Sequence, residues 1–149
     1  RGNKLPGRLG ALPPRATHAS GSSTAAFYLP RPNIIVTQVV GSIDRLTADA
    51  LIAFGDLQIA VDGPRRIDYF HDWEGVTTYD SGARLALTRW TLEHYQLVGK
   101  VIVLTPSKLV AMGVATANLA TASVLSIVMR TYKTRTEFDR DLLAAVEGR

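Results

Sequence analysis

At 149 residues the chain is long enough for one domain with a single good core, and 46% hydrophobic against 20% charged residues is an ordinary globular composition. The absence of cysteine excludes disulfides, thiolate metal sites and thiol nucleophiles, and agrees with a reducing, cytoplasmic setting. The formal charge of +4 is unevenly spread, because residues 1–43 hold Arg1, Lys4, Arg8, Arg15 and Arg31 without an acid, leaving 12 basic and 13 acidic residues in 44–149.

Residues 1–25 contain Pro6, Pro13 and Pro14 and show no hydrophobic periodicity, which predicts an extended basic arm without a core of its own. Such an arm is attracted to an anionic surface, or serves only as a solubilising tail. It begins at Arg1 rather than Met and so reads as a trimmed or internal segment. Residues 26–149 then read as one α/β domain. Ala25–Leu29 is a short strand stopped by Pro30, and Ile34–Val40 is a second, ended by Gly41. Thr47 is placed to cap a helix with Ala50, Phe54, Leu57 and Val61 at helical spacing, stopped by Gly63-Pro64.

Ile67–Trp73 is a third strand, followed by a helical pattern over Ala83–Leu97 that Gly99 closes. Val101–Leu104 has the compact apolar character of a sheet buried on both faces. Ser107 caps a helix over Lys108–Leu119, and Val124–Tyr132 is the fifth strand. Thr134 and Glu137 have capping-box spacing ahead of a last helix with an inner stripe of Phe138, Leu142 and Val146. The expectation is a five-stranded, mostly parallel sheet in the order β-β-α-β-α-β-α-β-α, with helices packed over it.

Asp80-Ser81-Gly82 stands between the third strand and the helix after it. A serine beside the free N–H groups of a helix start can carry a phosphate, since that end offers donors and partial positive charge. The plain alternative is that Ser81 only caps the helix. The element order together with this tripeptide resembles the STAS domain (sulfate transporter and anti-sigma-factor antagonist), most closely its bacterial SpoIIAA-like branch. The segments Glu74–Gly82, Phe70–Glu74 and Ser107–Gly113 are similar to stretches of that group.

The resemblance implies a non-enzymatic protein-binding domain in which a partner kinase phosphorylates a hydroxyl at the turn and so breaks a complex. Ser81 would be the phosphoacceptor, with Asp80 and Gly82 shaping the turn. That family carries two hydroxyl residues between Asp and Gly, whereas this chain has one, so Ser81 stands either for the acceptor or for its structural neighbour.

The stretch 109–129 is free of charge across 21 residues, long enough for a membrane span, but Gly113, Asn118 and several Ser and Thr divide it into helix, turn and strand. Leu109, Met112, Gly113 and Thr116 make that helix apolar or small on nearly every side, which suits docking of another chain or of a second copy, the plain alternative being burial under the arm 1–25. His71, Asp72, Glu74 and Asp80 gather near the carboxyl end of the third strand, where open α/β sheets bind ligands. Alternation sends His71 and Asp72 to opposite faces, so neither an acid–base pair nor a metal site is expected from them, and Trp73 is read as a plug at the sheet edge. His94 is read as a packed or half-exposed histidine. No cofactor motif is present: neither a P-loop nor a Gly-x-Ser-x-Gly elbow occurs. Two further readings stay open, a scaffold subunit whose arm binds neighbouring chains and a carrier of a small ligand or lipid.

Overall fold

A computed structural model describes residues 5–122 and 127–149, the side chains of 116–122 excepted. Among these residues, six strands lie side by side in chain order: β1 (Ala16–Ser20), β2 (Ser23–Arg31), β3 (Ile34–Ile43), β4 (Ile67–Tyr79), β5 (Val98–Leu104) and β6 (Val128–Tyr132). β1, β2 and β3 pair antiparallel, whereas β3 through β6 pair parallel. The sheet is therefore mixed and six-stranded rather than five-stranded and mostly parallel. The helices α1 (Arg45–Asp62), α2 (Ser81–Glu93), α3 (Lys108–Ala122) and α4 (Arg135–Val146) follow β3, β4, β5 and β6 in turn, so from β2 onward the expected alternation holds.

The sixth strand comes from the segment expected to be an arm. Ala16–Ser20 pairs with β2 through a two-residue turn in which Gly21 has a φ of 53°. Ahead of it, a short 3-10 turn at Gly7–Ala11 carries Leu9 into the interior, where Leu5 is buried as well. The described part of residues 1–25 thus packs on its own domain. β1 escapes a pattern search because Ala-Thr-His-Ala-Ser alternates without a large apolar residue. β2 also runs past Pro30 to Arg31, with a register shift between Tyr28 and Arg31 that accommodates the missing N–H.

Helix ends show why local chemistry suffices at some junctions and not at others. Gly63 ends α1 with a φ of 80°, and the Ser107 hydroxyl accepts from Val110 N at 3.3 Å to cap α3. The cap of α1, however, is Asp44, whose carboxylate accepts from Thr47 N at 2.8 Å and from the Thr47 hydroxyl at 2.9 Å. α2 stops at Glu93, and Gly99 lies inside β5 instead of closing the helix. There the Asp68 carboxylate occupies the space a side chain would need, and it accepts from Lys100 N at 2.8 Å. The first residues of the expected fifth strand lie outside the described residues, and β6 starts at Val128.

Two cores sandwich the sheet. On one face Ile35, Val39, Tyr69, Trp73, Val101 and Val103 meet Ala48 and Phe54 of α1, Ala83 of α2, and Val110 and Val114 of α3. On the other face Ile34, Val36, Phe70, Ile102 and Leu104 meet Phe138, Leu142 and Val146 of α4 together with Leu5 and Leu9. Since Leu9 is only 7% exposed, Leu9→Ala is expected to lower the free energy of unfolding by about 2 kcal/mol in urea titrations. An unattached arm would leave it unchanged.

Candidate functional site

β4 runs without a loop into α2. The Asp80 N–H donates to Ile43 O at 3.0 Å, and its carboxylate accepts from Ala83 N at 3.1 Å, which makes Asp80 the cap. The capping role weighed for Ser81 therefore belongs to its neighbour, because the residue leaving the strand already has the extended backbone that a cap requires. Ser81 is the first helical residue, and it is exposed, as are Asp80 and Gly82. Helix geometry leaves the N–H groups of Ser81 and Gly82 without an i−4 carbonyl.

α3 lies against this junction. A methyl group on Gly113 would come within 3.2 Å of Tyr79 Cδ2 and 3.6 Å of Arg84 Cδ, so the absence of a side chain lets α3 approach the start of α2 closely. Gly113 is thereby buried, while Leu109 and Met112 face outward at 66% exposure each. The side chain of Thr116 lies outside the described residues. Leu85, four residues beyond Ser81 and on the same stripe of α2, is exposed too.

The two faces of β4 carry different chemistry. Asp72 and Glu74 point toward α4, where Arg135 Nη2 binds Asp72 Oδ2 at 2.7 Å and Glu74 Oε1 at 3.0 Å, and Nη1 reaches Asp139 at 3.3 Å. Gln38 adds a hydrogen bond to Asp72 at 3.1 Å. Asp72 and Glu74 are thus engaged in an ion cluster, on the face away from His71 as alternation requires, while Asp80 caps α2. Among the described residues no group of three His, Asp or Glu side chains is placed to hold a metal ion.

On the opposite face, Tyr69, His71, Trp73 and Tyr79 form a ladder of rings with successive centroids 5.9, 5.0 and 5.3 Å apart. Trp73 does not plug an edge; it is 3% exposed, within the core beneath the helices. His71 accepts from or donates to the Thr37 hydroxyl through Nδ1 at 2.7 Å, and burial pushes its pKa down to about 4. His94 ends α2, stacks on Trp90 at 4.5 Å and approaches Asp56 at 3.9 Å, the half-exposed packing role expected of it. Leu109–Met129 divides into helix and strand, and no helix among the described residues is long and apolar enough to cross a membrane.

The chain is similar to the crystal structure of an uncharacterized protein from the DUF3478 family with a SpoIIAA-like fold, from Shewanella loihica PV-4. The TM-score is 0.61 at 14% identity, over 87% of this chain and 98% of that one. No family model matches the sequence, and no curated protein does. At that identity the likeness establishes the fold: the chain has a SpoIIAA-like, STAS-type architecture, in agreement with the resemblance drawn from its element order.

Two measurements probe the chemistry of β4. Arg135→Met leaves the buried Asp72 carboxylate without its cation, and is expected to cost about 3 kcal/mol in chemical denaturation. The depressed pKa of His71 means that, between pH 6.5 and 4, the unfolded chain binds a proton that the native chain refuses. Stability should therefore fall as pH drops through that window, by at most about 1.4 kcal/mol per pH unit. Urea titrations of His71→Gln across the same range are expected to show a shallower loss.

Proposed function

We propose that this chain is a non-enzymatic protein-binding domain whose recognition surface joins the exposed start of α2 at Ser81 to the outer face of α3. The observation that carries the reading is the juxtaposition made by Gly113: an accessible hydroxyl at a helix start lies beside a helix that presents Leu109 and Met112 to solvent. Exposed apolar residues of this size, grouped next to an addressable polar group, suit a partner surface that is apolar at its centre.

Phosphorylation of Ser81 would regulate that surface. A phosphate adds about −2 charge, favoured by the open N–H groups and by Arg84 three residues on, and opposed by the Asp80 carboxylate. Brought next to Leu109 and Met112, it would repel an acidic partner and disfavour an apolar one. The Asp80 carboxylate, not the Ser81 hydroxyl, caps α2, so that hydroxyl is not committed to holding the helix start. The fold supports this reading as an interaction architecture, and Asp72 and Glu74 are engaged by Arg135 on the face of β4 away from His71.

Affinity capture from native extract tests it with four baits: the natural chain, Ser81→Ala, Ser81→Asp and the double variant Leu109→Glu/Met112→Glu. The expected result is a partner held by the first two, weakened about tenfold by Ser81→Asp and lost from the double variant. Retention of every partner by the double variant overturns the surface. Unchanged affinity for Ser81→Asp removes the switch alone.

A further inference from the structure

The outer side of α1 is apolar where the outer side of a packed helix is ordinarily charged. Leu46, Ala53, Leu57, Ala60 and Val61 are all exposed, Leu46 at 60%, Leu57 at 54% and Val61 at 69%. On α4, by contrast, the exposed residues are Thr136, Glu137 and Arg140. A lone exposed leucine is ordinary on a globular surface, so the meaning lies in the order of these residues. Leu46, half-buried Ala50, Ala53 and Leu57 follow one another at intervals of four, three and four residues. That alternation keeps a seam on one side of a helix, as in paired helices. Residue types and intervals are also the same read from either end, Leu-Ala-Ala-Leu, which is the pattern of a surface complementary to itself.

We propose that α1 is a self-association surface, on which a second copy of this chain packs its own α1 antiparallel about a two-fold axis between Ala50 and Ala53. The inference concerns a surface separate from Ser81 and α3 and stands without them. In this arrangement Leu46 of each copy meets Leu57 of the other, and Ala50 meets Ala53. The alanines lie at the axis, where small side chains let two helices approach to the short end of the usual 8–10 Å separation. The leucines close the seam at both ends and lose their contact with water. A two-fold contact of this kind uses the same patch on both copies and closes at a dimer.

Charge supports the same pairing. Arg45 and Asp56 stand about three turns apart and so share one flank of α1. The two-fold axis keeps that flank on one side and brings Asp56 of the second copy within about 3 Å of Arg45 along the helix direction. Arg45 binds Asp49 through Nε at 3.0 Å, and its Nη groups pair with no acid among the described residues. Asp56 uses Oδ1 for the Trp90 indole at 2.9 Å and for His94 at 3.9 Å, which leaves Oδ2 for a cation. Each end of the seam thus places a guanidinium between two carboxylates, one from each copy. A parallel pairing would set Arg45 beside Arg45 instead. The seam covers only about three turns, less than a standard interface of roughly 800 Å² per partner, so the dimer is a weak one with a Kd of roughly 10 µM to 1 mM.

Sedimentation equilibrium of the full chain up to about 1 mM is expected to show a reversible monomer–dimer equilibrium. Leu46→Glu/Leu57→Glu should abolish the dimer and leave the thermal transition of the dilute monomer unchanged, since both residues are exposed. Arg45→Glu should raise Kd about threefold or more, although it improves the charge at the helix start and so does not weaken the fold. Because the chain has no cysteine, single variants report the pairing without background. Under mild oxidation Ala53→Cys is expected to cross-link at least about tenfold faster than Ala60→Cys, since the axis sets the two copies of residue 53 about 4.5 Å apart along the seam and those of residue 60 about 25 Å apart. A chain still monomeric at about 1 mM, which would leave the stripe to a different partner, overturns the proposal. A dimer that survives Leu46→Glu/Leu57→Glu but is lost with Leu109→Glu/Met112→Glu overturns it in favour of α3. Equal cross-linking at both positions, or a Kd indifferent to Arg45→Glu, overturns the antiparallel pairing.

Discussion

Handedness governs this molecule. β3, β4, β5 and β6 are consecutive parallel neighbours, and right-handed crossovers between neighbours advancing in one direction must all pass over the same face. α1, α2 and α3 accordingly share one core, and the opposite face of a strongly apolar sheet is left to whatever lies outside the crossovers. Those segments are the two ends of the chain. α4 brings Phe138, Leu142 and Val146, and the first residues bring Leu5 and Leu9. The basic N-terminal segment is thus required by the topology, despite a composition that argues for a free tail. Arg31 Nε donating to Val146 O at 2.6 Å and Arg135 bridging α4 to β4 fasten the same layer at both ends.

Strand alternation then separates two kinds of chemistry that the sequence places side by side. Phe70, Asp72 and Glu74 serve the α4 face, and Tyr69, His71 and Trp73 serve the helical face. A one-residue slip in the pairing of β4 would exchange them, sending carboxylates into the aromatic enclosure and rings toward Arg135. The ion cluster and the ring ladder therefore lock the same register from opposite sides. Each costs too much in the wrong place for the strand to move.

Where periodicity and capping chemistry are strong, the chain was legible without coordinates. The inner stripe of α4, the Ser107 cap, the Gly63 stop and the apolar run of β5 all stand where local pattern puts them. β1 was illegible because its residues are small and carry no hydrophobic signal. The caps at Asp44 and Asp80 were displaced onto Thr47 and Ser81, residues of equal local merit, since only the backbone leaving a strand decides which of them is extended. At the candidate site, pattern marked the helix of Leu109 and Met112 as apolar on nearly every side but left open whether it is covered or exposed, and only tertiary placement shows both residues facing outward. That the Tyr69 hydroxyl and the Trp73 indole Nε1 have no hydrogen-bond partner among the described residues leaves no mark on neighbouring positions of the sequence, because it is a property of tertiary placement.

The length of β4 ties the surface to the ring ladder. Opposite β3 the pairing shifts twice, from Gln38↔Asp72 to Val40↔Gly75 and from Gly41↔Val76 to Ser42↔Thr78, so β4 holds two more residues than its partner over the same span. Such bulges re-aim side chains. Here they convert simple alternation into steps of three, and Trp73, Val76 and Tyr79 all reach the helical face. That irregularity is also why an alternation search ends the strand near Trp73. Without the two extra residues, Thr77 would stand opposite Ile43 in place of Tyr79. The ring ladder would lose its last member, Gly113 would lose the tyrosine face against which α3 packs, and Asp80 would no longer meet Ile43 O to begin α2. The position of Ser81 at a helix start and the place of Tyr79 as the last ring of the ladder are consequences of the same two insertions in one strand.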